Sequence, residues 1–510
     1  MEDRGWVYKG GTLHCDGMSL ERLREHLRQE FGHLSSPAFV YSSATLHSSV
    51  LRYKDALTPL GMKGVLSYSV KANSNPGVVE ALREAGVTLA TTVSGNEVFL
   101  ALRAGFLPHQ VILNGNGKHR WEVELGVRRG VLLNVDSVFD ARQLVNVARE
   151  LGVRARALVR LNPALDAHTH PYLATALADS KFGVEVDQVE EVLQVLCEGG
   201  DGGCVGVEGV HIHVGSAITR LQVYAEMMQA ATHTLNQIRD SGWQKASMIN
   251  LGGGLSVSYE PPIDGGYHQE ETIPTSLINP TSPLSSKKRI TPETTKGTPN
   301  SLITKETTPN KPRTKETTPN SSMTRENTQK SIRATPSSTV TEATPTPQEL
   351  VETILPYLPE GATLVLEPGR SLVATAGVVM TEVMGVKTNA GREFVVVDAA
   401  MTEVIRPALY GVHHPICYVT TPSAHQEVAE VDVVGPVCES GDFLARRCFL
   451  PRPSASGDAL VVWAAGAYCA SMASNYNLRP HALEVLVHSP DSYKVLRRPQ
   501  EFEDLVREFL

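Results

Sequence analysis

An alternation constrains this chain more than any other feature. Short runs rich in β-branched residues recur at 65–70, 88–93, 111–113, 131–134, 156–161, 208–214, 248–251 and 363–366. Stretches with apolar residues three or four apart fill the gaps, for example 75–84, 97–104, 138–151 and 221–240. Neighbouring parallel strands need a long crossover between them, and a helix supplies it. Eight such strands predict an α/β fold built on a closed parallel (β/α)8 barrel.

After Arg370 the texture changes. Strand-like runs at 378–386, 393–397, 416–420, 427–434, 459–464 and 483–487 follow one another with few helical patterns between them. They predict a mostly antiparallel β domain. The expected layout is residues 1–36 as the N-terminal part of that domain, 37–372 as the barrel and 373–510 as the C-terminal β domain.

One segment belongs to neither core. No Phe, Trp or Tyr occurs between Tyr267 and Tyr357, and a ten-residue Thr/Pro-rich period runs through 291–330. Chain this polar cannot bury enough apolar surface to offset the entropy of ordering it. Residues 266–345 are therefore expected to be a disordered insertion within the barrel. The insertion carries eleven Lys/Arg against seven Asp/Glu, so the rest is more acidic than the total of −8.

That balance of charge gives no polycationic field, which argues against nucleic acid as a partner. No run approaches the ~18 apolar residues of a membrane span. The first twenty residues show no basic stretch followed by an apolar one, and Glu2, Asp3 and Asp16 fall among them. Seven scattered cysteines without a C-x-x-C pair make neither a disulfide framework nor a zinc site. A cytoplasmic enzyme is the expectation.

In a parallel barrel the active site is built at the carboxyl ends of the strands, and chemically capable residues gather there. Lys71 follows the first strand, Ser94 and Glu97 the second, Asn114 and Asn116 the third. Asn134 and Asp136 end the fourth, Arg160 and Asn162 the fifth, His211 and His213 the sixth. Gly252-Gly253-Gly254 follows the seventh, and Glu367 with Arg370 the eighth.

Each has a plain structural reading and a chemical one. A lone lysine at a strand end is ordinarily solvated; one ending an apolar strand is expected to be partly desolvated, which frees its amine for a Schiff base. A glycine triplet makes ordinary turns, yet it also lets backbone N–H groups approach an anion. It is no dinucleotide fingerprint, because Val257 stands where the third glycine belongs. His211 and His213 share a strand face, so a metal pair is conceivable, but no third ligand has a convincing spacing and no metal is assigned. Glu367 and Arg370 could be a local ion pair. Alternatively the carboxylate faces a pyridine nitrogen and the guanidinium grips a phosphate or carboxylate. Arg406 suits a substrate carboxylate, Cys438 could carry a proton, and Glu439 could bind an ammonium group.

Together the motifs Y-S-V-K-A-N, H-I-H-V-G-S, G-G-G-L, E-P-G-R, I-R-P-A-L-Y, C-E-S-G-D and G-A-Y-x-x-x-M-x-S-x-Y-N resemble those of the pyridoxal-phosphate decarboxylases with an alanine-racemase-like barrel. Among these the resemblance is strongest to the diaminopimelate decarboxylases, and it spans the chain except for the insertion. It implies pyridoxal 5'-phosphate carried by Lys71, with His213 stacked on the ring. Ser216 and Gly252, Gly253 and Gly254 would hold the phosphate, and Glu367 would pair with the ring nitrogen. Arg370, Arg406, Tyr410 and Glu439 would grip the distal end of an amino-acid substrate, with Arg370 also on the cofactor side and Tyr468 near both. Cys438 would donate a proton across a head-to-tail homodimer interface. The segments Arg160–Pro163, His168-Thr169-His170 and Ser180–Gly183 also resemble this subfamily.

The implied reaction converts meso-2,6-diaminopimelate into L-lysine and carbon dioxide, the last step of lysine biosynthesis. A decarboxylase of ornithine, lysine or carboxynorspermidine, or a cofactor-free regulatory homologue of the same fold, remains an alternative. Two positions depart from the family pattern: Thr91 and Asn250 stand where aspartates are usual.

Overall fold

The computed structural model describes residues 5–165, 180–198, 203–261, 344–422, 427–452 and 456–509. The insertion expected over 266–345 lies outside them except for Thr344 and Pro345, as does His168-Thr169-His170.

Eight parallel strands close into a barrel: β1 (Gly64–Ser69), β2 (Leu89–Thr92), β3 (Val111–Leu113), β4 (Leu132–Val135), β5 (Ala155–Asn162), β6 (Val205–Ile212), β7 (Met248–Asn250) and β8 (Thr363–Leu366). Each pairs with its neighbours in sequence, and β8 pairs with β1 to complete the ring. Helices pack outside. Their ends follow local chemistry: Ser94 and Ser137 side chains accept the N–H of Glu97 and Asp140, and left-handed Gly86, Gly130 and Gly152 terminate three of them. Beyond β7 the described chain resumes at Thr344. Thr346 and Glu349 then form a reciprocal cap on helix Pro347–Ile354.

The second architecture is a mostly antiparallel sheet whose hub is the long strand Gly377–Asn389. It pairs antiparallel with Arg392–Val397, Ala459–Val462 and Ala38–Ser42. The N-terminal contribution therefore runs to Ser42, past the boundary expected at 36. Every residue of Ala38–Ser42 is buried, and the strand is sandwiched between Gly377–Asn389 and Leu483–Ser489. A three-stranded antiparallel unit (Trp6–Lys9, Thr12–Cys15, Met18–Ser19) packs its apolar face beneath, with Trp6 edge-on to Trp463 at 5.2 Å.

Candidate active site

The barrel interior is layered. Ile112, Leu132 and Leu158 pack with Leu89 and Met248, contributions from five strands that can meet only inside the ring. Alternate residues of a strand share a face. Two positions further on therefore stand Thr91, Asn114, Asn134, Arg160 and Asn250, all buried. His211 and Glu367 complete this polar layer above an apolar floor.

Glu367 is its centre. Oε1 accepts from the Thr91 hydroxyl at 2.7 Å and from Asn250 Nδ2 at 2.6 Å, while His211 Nε2 lies 3.3 Å from Oε2. Burial raises the carboxyl pKa, but His211 and the Asn250 and Thr91 hydrogen bonds outweigh it and hold the group below its ordinary range. Burial also depresses His211, against the pull of Glu367. Thr91 and Asn250 add two neutral donors to the same carboxylate. Thr91 and Asn250, the two departures, are thus donors to this one oxygen. The chain beyond them is fixed too: Ser67 Oγ is 2.8 Å from Thr91, and Asn250 Oδ1 accepts from Gly252 N at 2.9 Å. His211 lies against Glu367 Oε2, whereas His213 accepts from Gly253 N.

Lys71 sits in the turn Val70–Ala72 that follows β1. Tyr68 donates to Asn73 O at 2.9 Å, Asn73 Nδ2 to Gly466 O at 3.1 Å, and Tyr468 N to Ala72 O at 2.7 Å, so the β domain clamps this turn. Val70 and Ala72 are buried, but Lys71 itself is exposed at the barrel mouth. This corrects the expectation of a desolvated lysine: the strand ends at Ser69, and the turn carries the side chain out of the wall. Its charge acts on His213 and Glu97. Burial, then the Lys71 and Arg160 cations, hold His213 well below the usual imidazole range. Burial holds Glu97 above the usual carboxyl range, although Val93 N–H and Lys71 pull it down.

The glycine triplet is packed too closely for side chains. A Cβ on Gly253 would lie 2.3 Å from Glu367 O, and one on Gly254 2.3 Å from Gly215 O, with Gly254 at φ +103°. Gly253 N donates to His213 Nδ1 at 3.4 Å. Beside it, Ser216 Oγ accepts from Arg370 Nε at 3.3 Å and Nη2 at 3.0 Å.

Arg370 forms no local ion pair with Glu367. Its Nη1 donates instead to Tyr259 OH at 2.7 Å, and Arg406 Nη1 donates to the same oxygen at 3.2 Å. Both guanidinium groups are buried, and neither has a carboxylate within ion-pair distance among the described residues. Arg370 also lies over the Tyr468 ring at 5.0 Å, and Tyr468 adopts φ +58°, a strained value for so bulky a residue. Tyr410 follows Arg406 by four residues on the short helix Arg406–Tyr410, on the same face. Tyr259 escaped the sequence reading because its partners stand 111 and 147 residues away.

Among the described residues, Cys438 and Glu439 make no hydrogen bond or ion pair with the groups at this mouth. Both are exposed in a loop of the β domain, where Cys438 N donates to Asn477 Oδ1 at 2.7 Å and Glu439 Oε1 accepts from Gly441 N at 3.3 Å. Asp442 anchors the loop by accepting from Val437 N and Met401 N.

Comparison with known proteins adds a second line. Residues 44–280 match the family model for the pyridoxal-binding domain of pyridoxal-dependent decarboxylases. A probable chloroplastic diaminopimelate decarboxylase of Oryza sativa subsp. japonica is 34% identical over 98% of this chain and 83% of its own length. This chain belongs to the diaminopimelate decarboxylase family. The Pseudomonas aeruginosa diaminopimelate decarboxylase is 32% identical over 96% of this chain and 95% of its own. The crystal structure of the Helicobacter pylori diaminopimelate decarboxylase complexed with L-lysine superposes with a TM-score of 0.72 at 28% identity, covering 95% and 98% of the two chains.

The residues present fit the family's cofactor. A backbone cradle with no room for a Cβ, beside Ser216 and a buried arginine, suits a phosphate. A neutral, half-buried imidazole at His213 suits an aromatic ring, and a buried carboxylate kept ionised suits a protonated ring nitrogen. Among the described residues no group of three His, Cys, Asp or Glu side chains could hold a metal ion, and no helix is long and apolar enough to cross a membrane.

Proposed function

We infer that this chain decarboxylates meso-2,6-diaminopimelate to L-lysine and carbon dioxide with pyridoxal phosphate as cofactor. The observation that carries the substrate is the Arg370–Arg406 pair, two buried cations with no carboxylate of their own among the described residues. A pair of this kind suits a substrate with a second carboxylate far from the reacting carbon. Ornithine and lysine have none.

Pyridoxal phosphate, when bound, supplies an electron sink for the bond to the departing carboxylate. The protein does the rest. Lys71 would provide the amine that holds the cofactor. His211 and the hydrogen bonds from Thr91 and Asn250 favour the charged form of Glu367, which would pair with a protonated ring nitrogen. His213 would stack on the ring, and Ser216 with Gly252–Gly254 would hold the phosphate. Arg370, Arg406 and Tyr410 orient the distal carboxylate, with Tyr468 packed beside Arg370.

The exposed Cys438–Glu439 loop supports a homodimer with shared sites. In that assembly Cys438 of the partner subunit holds a proton at Sγ for the carbon that loses carbon dioxide. Glu439 of the partner subunit takes the distal ammonium. Seven free thiols support a reducing, cytoplasmic setting.

Carbon dioxide release measured separately from meso-diaminopimelate and from ornithine tests this reading. Release from diaminopimelate with stoichiometric L-lysine is expected. Release from ornithine alone would refute it.

A further inference from the structure

Tyr259 belongs to none of the motifs that identify the family, yet it stands where the two substrate arginines meet. Its hydroxyl oxygen accepts one N–H from each guanidinium, and Arg406 also lies 5.9 Å from the centre of its ring. Two like charges held this close repel. An oxygen between them offers an acceptor to both and fixes their spacing. Arg406 has few other ties: its Nε is buried without a hydrogen-bond partner among the described residues.

The ring of Tyr259 is itself held. It lies 5.2 Å from the His414 ring at an interplanar angle of 45°. His414 is fully buried and its Nδ1 is 2.8 Å from Trp463 O, so Nδ1 carries the proton and donates it there. Burial and the two arginines press the His414 pKa down to about 3 despite the Trp463 hydrogen bond, so the ring adds no third positive charge. The tyrosine hydroxyl accepts twice, and its own proton has no acceptor among the described residues.

We propose that Tyr259 is a positioning residue that sets the spacing of Arg370 and Arg406 and thereby makes the site select ligands whose distal end carries a carboxylate. The proposal rests on the diaminopimelate reading above. Its consequence is asymmetric. L-Lysine presents an α-carboxylate to the pair, whereas cadaverine is the same chain without one. Loss of the Tyr259 hydroxyl lets the guanidinium groups part. A carboxylate must then reassemble them when it binds, while cadaverine is indifferent to where they lie.

The test uses the holoenzyme and its Tyr259→Phe variant, with the visible absorbance of the bound cofactor as the check that the site is loaded. The expected result is a loss of about tenfold or more in L-lysine affinity, with KM for meso-diaminopimelate raised to match. Cadaverine affinity should stay within about twofold and kcat within about threefold of wild type, since the lost contact orients a remote group. L-Lysine affinity that is unchanged or tighter, or an equal loss for both amines, would overturn the proposal. The underlying reading has its own control in Arg406→Met. If that variant keeps the wild-type preference for L-lysine over cadaverine, the carboxylate is read elsewhere, and the assignment of the pair falls together with the role of Tyr259.

Discussion

At the residue scale, the chemistry turns on how one buried carboxylate is kept charged. Glu367 has lost its hydration, and a carboxylate in that position would normally take up a proton. Hydrogen bonds to a charged group contribute about 1.5–3 kcal/mol each, so Thr91 and Asn250 together can offset much of the desolvation. Asn250→Leu removes one of them from Glu367 Oε1. The group's folded pKa, held low by its partners, should rise, so activity should fail at a higher pH on the acid side. The acid limb of kcat should move up by one unit or more, and an unshifted limb would show that Asn250 does not act through Glu367. Much of this was legible in the sequence: strand-end residues announce themselves, and Thr91 and Asn250 stood out as departures. What they bond to did not, because a neutral donor gains its meaning only from a carboxylate on another strand. The exposure of Lys71 was hidden for a similar reason, since the turn that lifts it is fixed by Gly466 and Tyr468, far along the chain.

At the scale of elements, the turn after β7 and the loops of the β domain carry the separate halves of the site. Gly254 lies at φ +103°, and a Cβ there would meet Gly215 O at 2.3 Å. Gly254→Ala therefore requires backbone to move on one side of the phosphate cradle. A fall of at least tenfold in cofactor affinity is expected, with the fold kept, as measured by titrating apoenzyme with pyridoxal phosphate. Near the Cys438 loop, burial raises the Glu403 pKa from 4.5 to about 7, although Ala400 N–H and the Thr402 hydroxyl favour its charged form. A carboxyl whose folded pKa lies above its unfolded value stabilises the fold at low pH and loses that contribution as pH rises through the folded value. Thermal stability should therefore drop between about pH 4.5 and 7 partly through this group. Glu403→Gln should flatten that slope, and an identical slope in the variant would contradict the assignment. The eight barrel strands were legible because each announces itself within a few residues. Ala38–Ser42 was not assigned to the β domain, since its partners at Gly377–Asn389 and Leu483–Ser489 are hundreds of residues downstream.

At the scale of the whole molecule, the mouth holds the groups proposed to bind the cofactor and the distal carboxylate, while the proposed proton donor and ammonium ligand sit on an exposed loop. If the partner's loop completes each site, two inactive variants should rescue one another. Lys71→Ala and Cys438→Ala subunits, each with little activity alone, should recover about a quarter of wild-type activity when mixed and reassociated, because half the dimers then contain one intact site. Recovery no greater than the sum of the parents would place both residues in one subunit's site. The account as a whole depends on the identity of one covalent linkage. Borohydride reduction of the purified holoenzyme, followed by peptide mass spectrometry, reads it directly. The predicted result is a reduced pyridoxal phosphate adduct on the peptide containing Lys71; an adduct on a different lysine, or none, would contradict the account.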